Sequence, residues 1–210
     1  MNFFKKLLDK KTCDICGGEI SLLGNRKLED GNCCKACANK LSVWFDDRRR
    51  STIAEINEQL AYREANREAV RNFQVSRSYG ESDLLYIDDD AQKFLITQTG
   101  HLEEENPDVV SLEQITGANL YVKDRRDEIL KQTQDGMRES YQPPRYRYYY
   151  DFYIVIRVRH PYFDEMRMRL NNFTVEIEDT GSAFSQFDPR HNPEYELYEN
   201  MAQEILFALK

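Results

Sequence analysis

Cys13-Asp14-Ile15-Cys16-Gly17-Gly18 and Cys34-Lys35-Ala36-Cys37 form two C-x-x-C pairs with seventeen residues between them. Each short turn points two thiols at one place, so four sulfur donors can meet around a single ion. This spacing predicts a structural zinc site with Cys13, Cys16, Cys34 and Cys37 as ligands. Gly17 and Gly18 give the chain freedom to turn tightly, so that amides face sulfur. Ile15 and Ile20 are placed to cover the site, Leu22-Leu23-Gly24-Asn25 reads as a short hairpin, and Asp30-Gly31-Asn32 turns the chain back. Lys35 to Phe45 suit a short helix ending at Trp44 and Phe45. Apolar residues are too few here for a free-standing core, so metal binding is expected to supply most of the folding energy, about 10 kcal/mol or more.

Cys33 competes with Cys34 on paper, but Cys33 with Cys37 makes the less regular C-x-x-x-C. Cys34 is therefore the expected ligand, and Cys33 a small buried apolar residue. The alternative for the whole set is a pair of disulfides in a secreted domain. Met1 to Thr12 has only the short apolar pairs Phe3-Phe4 and Leu7-Leu8, unlike a leader, and the cysteine total is an odd 5. Both observations fit a reducing cytosol better.

The 210 residues suffice for one metal module and one ordinary domain. The charge of −8 is uneven: residues 1–50 hold eleven basic and seven acidic side chains, a balance of +4 that leaves −12 for the rest. An acidic body repels phosphate, so nucleic acid is a disfavoured partner, confined to the amino-terminal fifth. Asp46-Asp47-Arg48-Arg49-Arg50 reads as a solvated connector rather than a phosphate-binding patch, because carboxylates sit beside the arginines. Thr52 and Glu55 then make a capping-box pattern, and no Gly or Pro interrupts a helix to about Phe73. Its apolar residues change face partway: Ile53, Ile56 and Leu60 make one stripe, Tyr62, Ala65, Ala69 and Phe73 another. The first is expected to dock on the zinc module and the second on the following domain.

Beyond residue 74 the pattern alternates. Phe73–Ser78, Leu84–Ile87 and Phe94–Thr97 read as strands, with Asp88-Asp89-Asp90-Ala91 a turn rather than a cation site. Val109 to Ile115 leads to a strand over Ala118–Val122, then a charged segment and a Tyr-rich, Pro-containing loop from Gln132 to Arg147. Phe152, Ile154, Ile156 and Val158 alternate with Tyr153, Val155, Arg157 and Arg159, and Met166, Met168 and Leu170 alternate with Arg167 and Arg169. Phe173, Val175 and Ile177 continue the apolar face, and outward Glu176 and Glu178 are positioned to neutralise the arginines. Asn192 and Pro193 start a last helix with Leu197, Met201, Ile205 and Leu209 every four residues and Tyr198 and Ala208 alongside.

The expected fold class is α+β: a zinc ribbon at 13–45 after a basic amphipathic tail at 1–12, a charged linker and connecting helix at 46–74, and an antiparallel domain at 75–210. About seven strands closed by one carboxy-terminal helix match a pleckstrin-homology-like barrel or sheet. An unrelated α+β sheet with one helix packed on it is the alternative.

Cys13-Asp14-Ile15-Cys16-Gly17-Gly18-Glu19-Ile20, Leu22-Leu23-Gly24-Asn25-Arg26-Lys27-Leu28, Asp30-Gly31, Cys34, Cys37 and Lys40-Leu41-Ser42 together resemble a bacterial zinc-finger or zinc-ribbon family of unknown function. The resemblance implies zinc on the four named cysteines and a bacterial cytoplasmic setting, and implies no activity.

Catalysis has little footing in the sequence. His101, His160 and His191 sit in no nucleophile motif, and neither a Gly-rich phosphate loop nor a catalytic carboxylate pair stands out. The expected function is that of a non-enzymatic adaptor with a protein partner. Residues 1–11, with Phe3, Phe4, Leu7 and Leu8 flanked by lysines, offer either weak docking to the inner face of the membrane or a frayed tail. The rival function is nucleic-acid binding through Arg26, Lys27, Lys35, Lys40 and Arg48 to Arg50. A flat apolar groove beside the last helix would favour peptide capture, and a deep polar pocket catalysis.

Overall fold

The computed structural model describes residues 11–179 and 187–210, so the tail expected to meet a membrane lies, but for Lys11, outside the described residues. The amino-terminal module is built from two small hairpins. β1 (Lys11–Thr12) pairs with β2 (Glu19–Ile20), and β3 (Asn25–Lys27) pairs with β4 (Asn32–Cys34), which runs into the one-turn helix α1 (Lys35–Ala38). The helix stops there rather than continuing to Phe45, because a series of turns follows and swings Trp44 away to the core of the next domain. Leu22 and Leu23 lie on an exposed turn instead of a paired hairpin.

The Asp46–Arg50 run has no buried residue, in keeping with a solvated connector, yet it has a regular conformation. Asp47–Arg50 forms a 3-10 turn laid against β3, with Arg48 Nη1 donating to the Lys27 carbonyl at 3.0 Å. The helix α2 (Ile53–Arg71) then starts at the Thr52/Glu55 capping box. Its buried residues are Ile56, Gln59, Arg63, Asn66 and Val70, spaced three and four apart on one straight face. The expected change of face therefore does not occur. Of the expected second stripe, Tyr62 does meet the β domain, with its ring against His160 and Tyr162 and its hydroxyl on Asp108, whereas Ala65 is exposed; the buried stripe continues with polar side chains that apolar periodicity cannot reveal.

The rest is α+β. β5 (Arg77–Tyr79), β6 (Leu84–Asp88), β7 (Lys93–Thr97) and β8 (Val110–Ser111) form an antiparallel sheet in chain order, with the short helix α3 (Leu102–Glu105) between the last two. Asp88 holds the turns around β6, accepting from the Gln74 and Ala91 amides at 2.9 Å each. In the second sheet β10 (Arg138–Val158) has β9 (Ile115–Gln132) along one edge, while β11 (Glu165–Arg169) and β12 (Val175–Asp179) divide the other. No strand pairing closes the two sheets into a barrel among the described residues.

β9 and β10 overrun the loops expected after Val122 and before Arg147. Aromatic side chains favour strand backbone, and arginines stack across the ladder. Arg125 of β9 lies 4.1 Å from the Tyr149 ring centroid of β10 and Arg126 4.5 Å from Tyr146, while within β10 Arg145 lies 4.3 Å from Tyr141. Pro143 is accommodated where the register shifts between Ser140 and Arg145.

Leu85, Ile87, Phe94 and Ile96 from the first sheet meet Phe152, Ile154, Ile156, Met166 and Met168 from the second in one core. It is closed by α4 (Pro193–Ala208), whose N-cap Asn192 accepts from the Glu194 and Tyr195 amides. The inward stripe of α4 is Tyr195, Tyr198, Ala202, Ile205 and Ala208; of the every-fourth series Ile205 and Leu209 are buried and Met201 packs on the core, while Leu197 is half exposed. The rings of Tyr195 and Tyr198 pack on Phe152, and this aromatic contact sets the helix rotation. Phe173 is likewise exposed, since β12 begins only at Val175. Two of the outward arginines are paired, but not with the expected glutamates: Arg169 meets Asp151 at 2.6 Å and Arg167 meets Glu165 at 3.6 Å, while Glu178 pairs with Arg147.

Candidate metal centre

In the first turn the Gly17 amide donates to the Cys13 carbonyl and the Cys13 amide to the Gly18 carbonyl, both at 2.8 Å, with Gly17 at φ 70°. This left-handed residue lets the turn close so tightly that both thiols face inward. The second turn caps α1: Cys34 Sγ accepts from the Cys37 amide at 3.4 Å, and Cys13 Sγ accepts from the Cys34 amide at 3.2 Å. The ligand atoms of Cys13, Cys16, Cys34 and Cys37 all lie within 4.8 Å of one another. None of the five cysteines is in a disulfide.

The donor set fits a soft divalent ion. Burial opposes charge on the Cys13 thiol, yet the amides of Cys34, Cys16 and Ile15 outweigh it and bring the thiol down to about 6. Such N–H to sulfur bonds favour the thiolate that a metal requires. Burial pushes Cys37 upward, with hydrogen bonds to its three cysteine neighbours adding to the effect. Cys33 stands apart: fully buried, it donates to the Cys34 carbonyl at 3.4 Å, and burial raises its thiol to about 11. Cys33 packs with Ile20, Leu28, Leu41 and Ile56 in the small core beneath the cluster. The four clustered cysteines could hold one metal ion, and an all-sulfur tetrad of this spacing suggests zinc.

The sequence reading missed what fastens this centre to the body. Asp30 Oδ1 accepts from the Ile53 amide at 2.8 Å, at the start of α2. Gly31 lies so close that a Cβ there would come within 2.8 Å of Ile53 Cδ1 and 2.7 Å of Asp14 Oδ2. Farther along α2, buried Arg63 pairs with Asp108 at 2.8 Å and donates to the carbonyls of Lys40 and Asn106. Asp108 also accepts from Ser42 at 2.8 Å and Tyr62 at 3.0 Å. Asn66 donates to Pro107 and accepts from Val109. One carboxylate thus gathers the metal module, α2 and the loop before β8. Its only sequence signal is an Asp in an Asn-Pro-Asp turn, which says nothing of long-range partners.

Of the basic residues named for nucleic acid, Arg26, Lys27, Arg48 and Arg49 line a single cleft, Arg50 is paired with Asp47, and Lys35 and Lys40 lie outside that lining. No helix among the described residues is long and apolar enough to cross a membrane. No curated protein matches the chain, and no solved structure does. Residues 12–59, which hold the four clustered cysteines and the first two turns of α2, match the family model described as a domain of unknown function (DUF4428).

Proposed function

We propose that the chain is a non-enzymatic interaction protein: a zinc-stapled module fixed to a pleckstrin-homology-like domain that captures an extended peptide beside its last helix. The proposed ion is held by Cys13, Cys16, Cys34 and Cys37, a complete set of four thiolates of the kind that staples a fold. What it supplies is cohesion of the two hairpins. The observation that carries the peptide reading is a groove of about 520 Å³ between the start of β9 and the end of α4. Ile115, Gly117 and Ala118 form one wall and Leu206 and Leu209 the other. β9 pairs only with β10 among the described strands, so its other edge offers unpaired backbone donors and acceptors.

A peptide added as a strand would satisfy those groups and lay alternate side chains against the helix. Lys210 is the only charged residue in the lining and favours an acidic side chain on the peptide. The test is selection of binders from a random peptide library on the purified chain, followed by amide-shift mapping. Apolar, acid-containing binders should perturb residues 115–118 and lose at least tenfold in affinity with Ala118→Arg. A library that yields no binder, or binders indifferent to that variant, would remove this reading.

A further inference from the structure

A cleft in the amino-terminal module has a different chemistry. It has a volume of about 820 Å³ and presents Arg26, Lys27, Arg48 and Arg49 against a single carboxylate, Glu29. All four cations come from two elements separated in sequence, β3 and the 3-10 turn, which pack together when Arg48 donates to the Lys27 carbonyl at 3.0 Å. Arg26 is tied back to the carbonyls of Leu23 and Asn25 at 3.3 Å each. Those bonds orient the two guanidinium groups but leave donors on each unused.

None of the four cations has an ion-pair partner among the described residues. Arg50, Arg63, Arg77, Arg147 and Arg169, by contrast, each hold an acidic partner. The neighbouring aspartate that could have neutralised the cleft, Asp47, is engaged by Arg50. Bringing like charges together costs free energy that an anion in the cleft would offset. Arg48 registers that crowding: burial lowers its pKa first, and the charges of Arg26 and Arg49 lower it further.

We propose that this cleft is a binding site for a compact phosphate-bearing anion of the di- or triphosphate class. Planar guanidinium groups match phosphate oxygens bidentately, and several within one cleft match a short chain of phosphates. Compactness follows from the rest of the chain. Residues 51–210 carry a net −12, and a long polyanion leaving the cleft would meet that field. A ligand that ends inside the cleft avoids it.

The test is titration calorimetry at low salt on the zinc-loaded full chain with pyrophosphate, tripolyphosphate, a nucleoside triphosphate and a twenty-nucleotide single strand. Tripolyphosphate should bind and raise the thermal midpoint, and its affinity should fall steeply with added salt. Equal affinity for the nucleoside triphosphate would place the recognition in the phosphates, and tighter binding would add a base contact to the same site. The double variant Arg26→Gln, Arg49→Gln should weaken binding at least tenfold while keeping one zinc per chain. Arg49→Gln alone, at an exposed position, serves if the double variant loses its metal. The proposal is overturned if none of the phosphate compounds binds at millimolar concentration, if the variants bind unchanged, or if the oligonucleotide binds more than tenfold tighter than tripolyphosphate.

Discussion

Asp108 is 1% exposed and accepts from Arg63, Tyr62 and Ser42 at once. Removing one partner of a buried pair leaves the other charge without compensation, at a cost of about 3–5 kcal/mol. Asp108→Ala should therefore lower stability in urea by roughly that amount. Arg63→Met together with Asp108→Leu should recover much of it, because the cost lies in the orphaned charge.

His160 is packed by Phe163 at 3.9 Å and Tyr62 at 5.0 Å between ring centroids, with Tyr162 alongside. Burial lowers its pKa, and the charge of Asp108 opposes that only in part. A depressed imidazole binds fewer protons folded than unfolded. Its contribution is therefore whole above the unfolded pKa of about 6.5 and is lost as pH falls through that value toward the folded one. Thermal midpoints should drop between about pH 7 and pH 5 in the native chain, and His160→Gln should flatten that decline.

Helix α2 shows how one element can carry two dissimilar contacts on one face. Its first turns are seated by Ile56 in the core beneath the cysteines, and its later turns by Arg63 and Asn66 on the β domain. The Thr52 hydroxyl accepts from the Glu55 amide, while the Glu55 carboxylate accepts from the Thr52 amide at 2.7 Å. Thr52→Ala should cost about 1 kcal/mol, read from the shift of the urea midpoint. Gly31→Ala should cost about 1–3 kcal/mol by the same measurement, because its methyl group would press on Ile53, which must shift where α2 meets the hairpins. In the second sheet the Arg–Tyr ladder does for β9 and β10 what apolar alternation does elsewhere. A polar composition there had suggested a loop.

Across the whole molecule, the metal module and α2 are joined to the β domain through polar groups and the rings of Trp44 and Tyr62. Trp44 is the sole tryptophan of the chain and packs against the β-domain core although it follows the cysteine module directly. Its emission is therefore a probe of the joint. Metal analysis should find about one zinc per chain. Stripping it with a strong chelator should shift the Trp44 emission to the red as the module unfolds, whereas strand circular dichroism persists because the larger core excludes the cysteines. Cys16→Ser should give the same spectrum without chelator.

The sequence by itself determined the features that arise from short-range stereochemistry. The C-x-x-C turns with their glycines, the Thr52 and Asn192 caps, the Asp88 turn and the alternating strands from Phe152 to Arg169 depend on residues a few positions apart. It also separated Cys34 from Cys33, because tetrahedral ligation prefers the shorter spacing. Tertiary structure alone decided the rest: which face of α2 is buried, that a carboxylate at 108 meets a guanidinium at 63, that Trp44 leaves its own module, and that two separated basic segments close around one cleft. Those outcomes depend on desolvated polar pairs between distant segments. The identity of a polar residue says only that it can form such a pair, whereas burial decides whether it must.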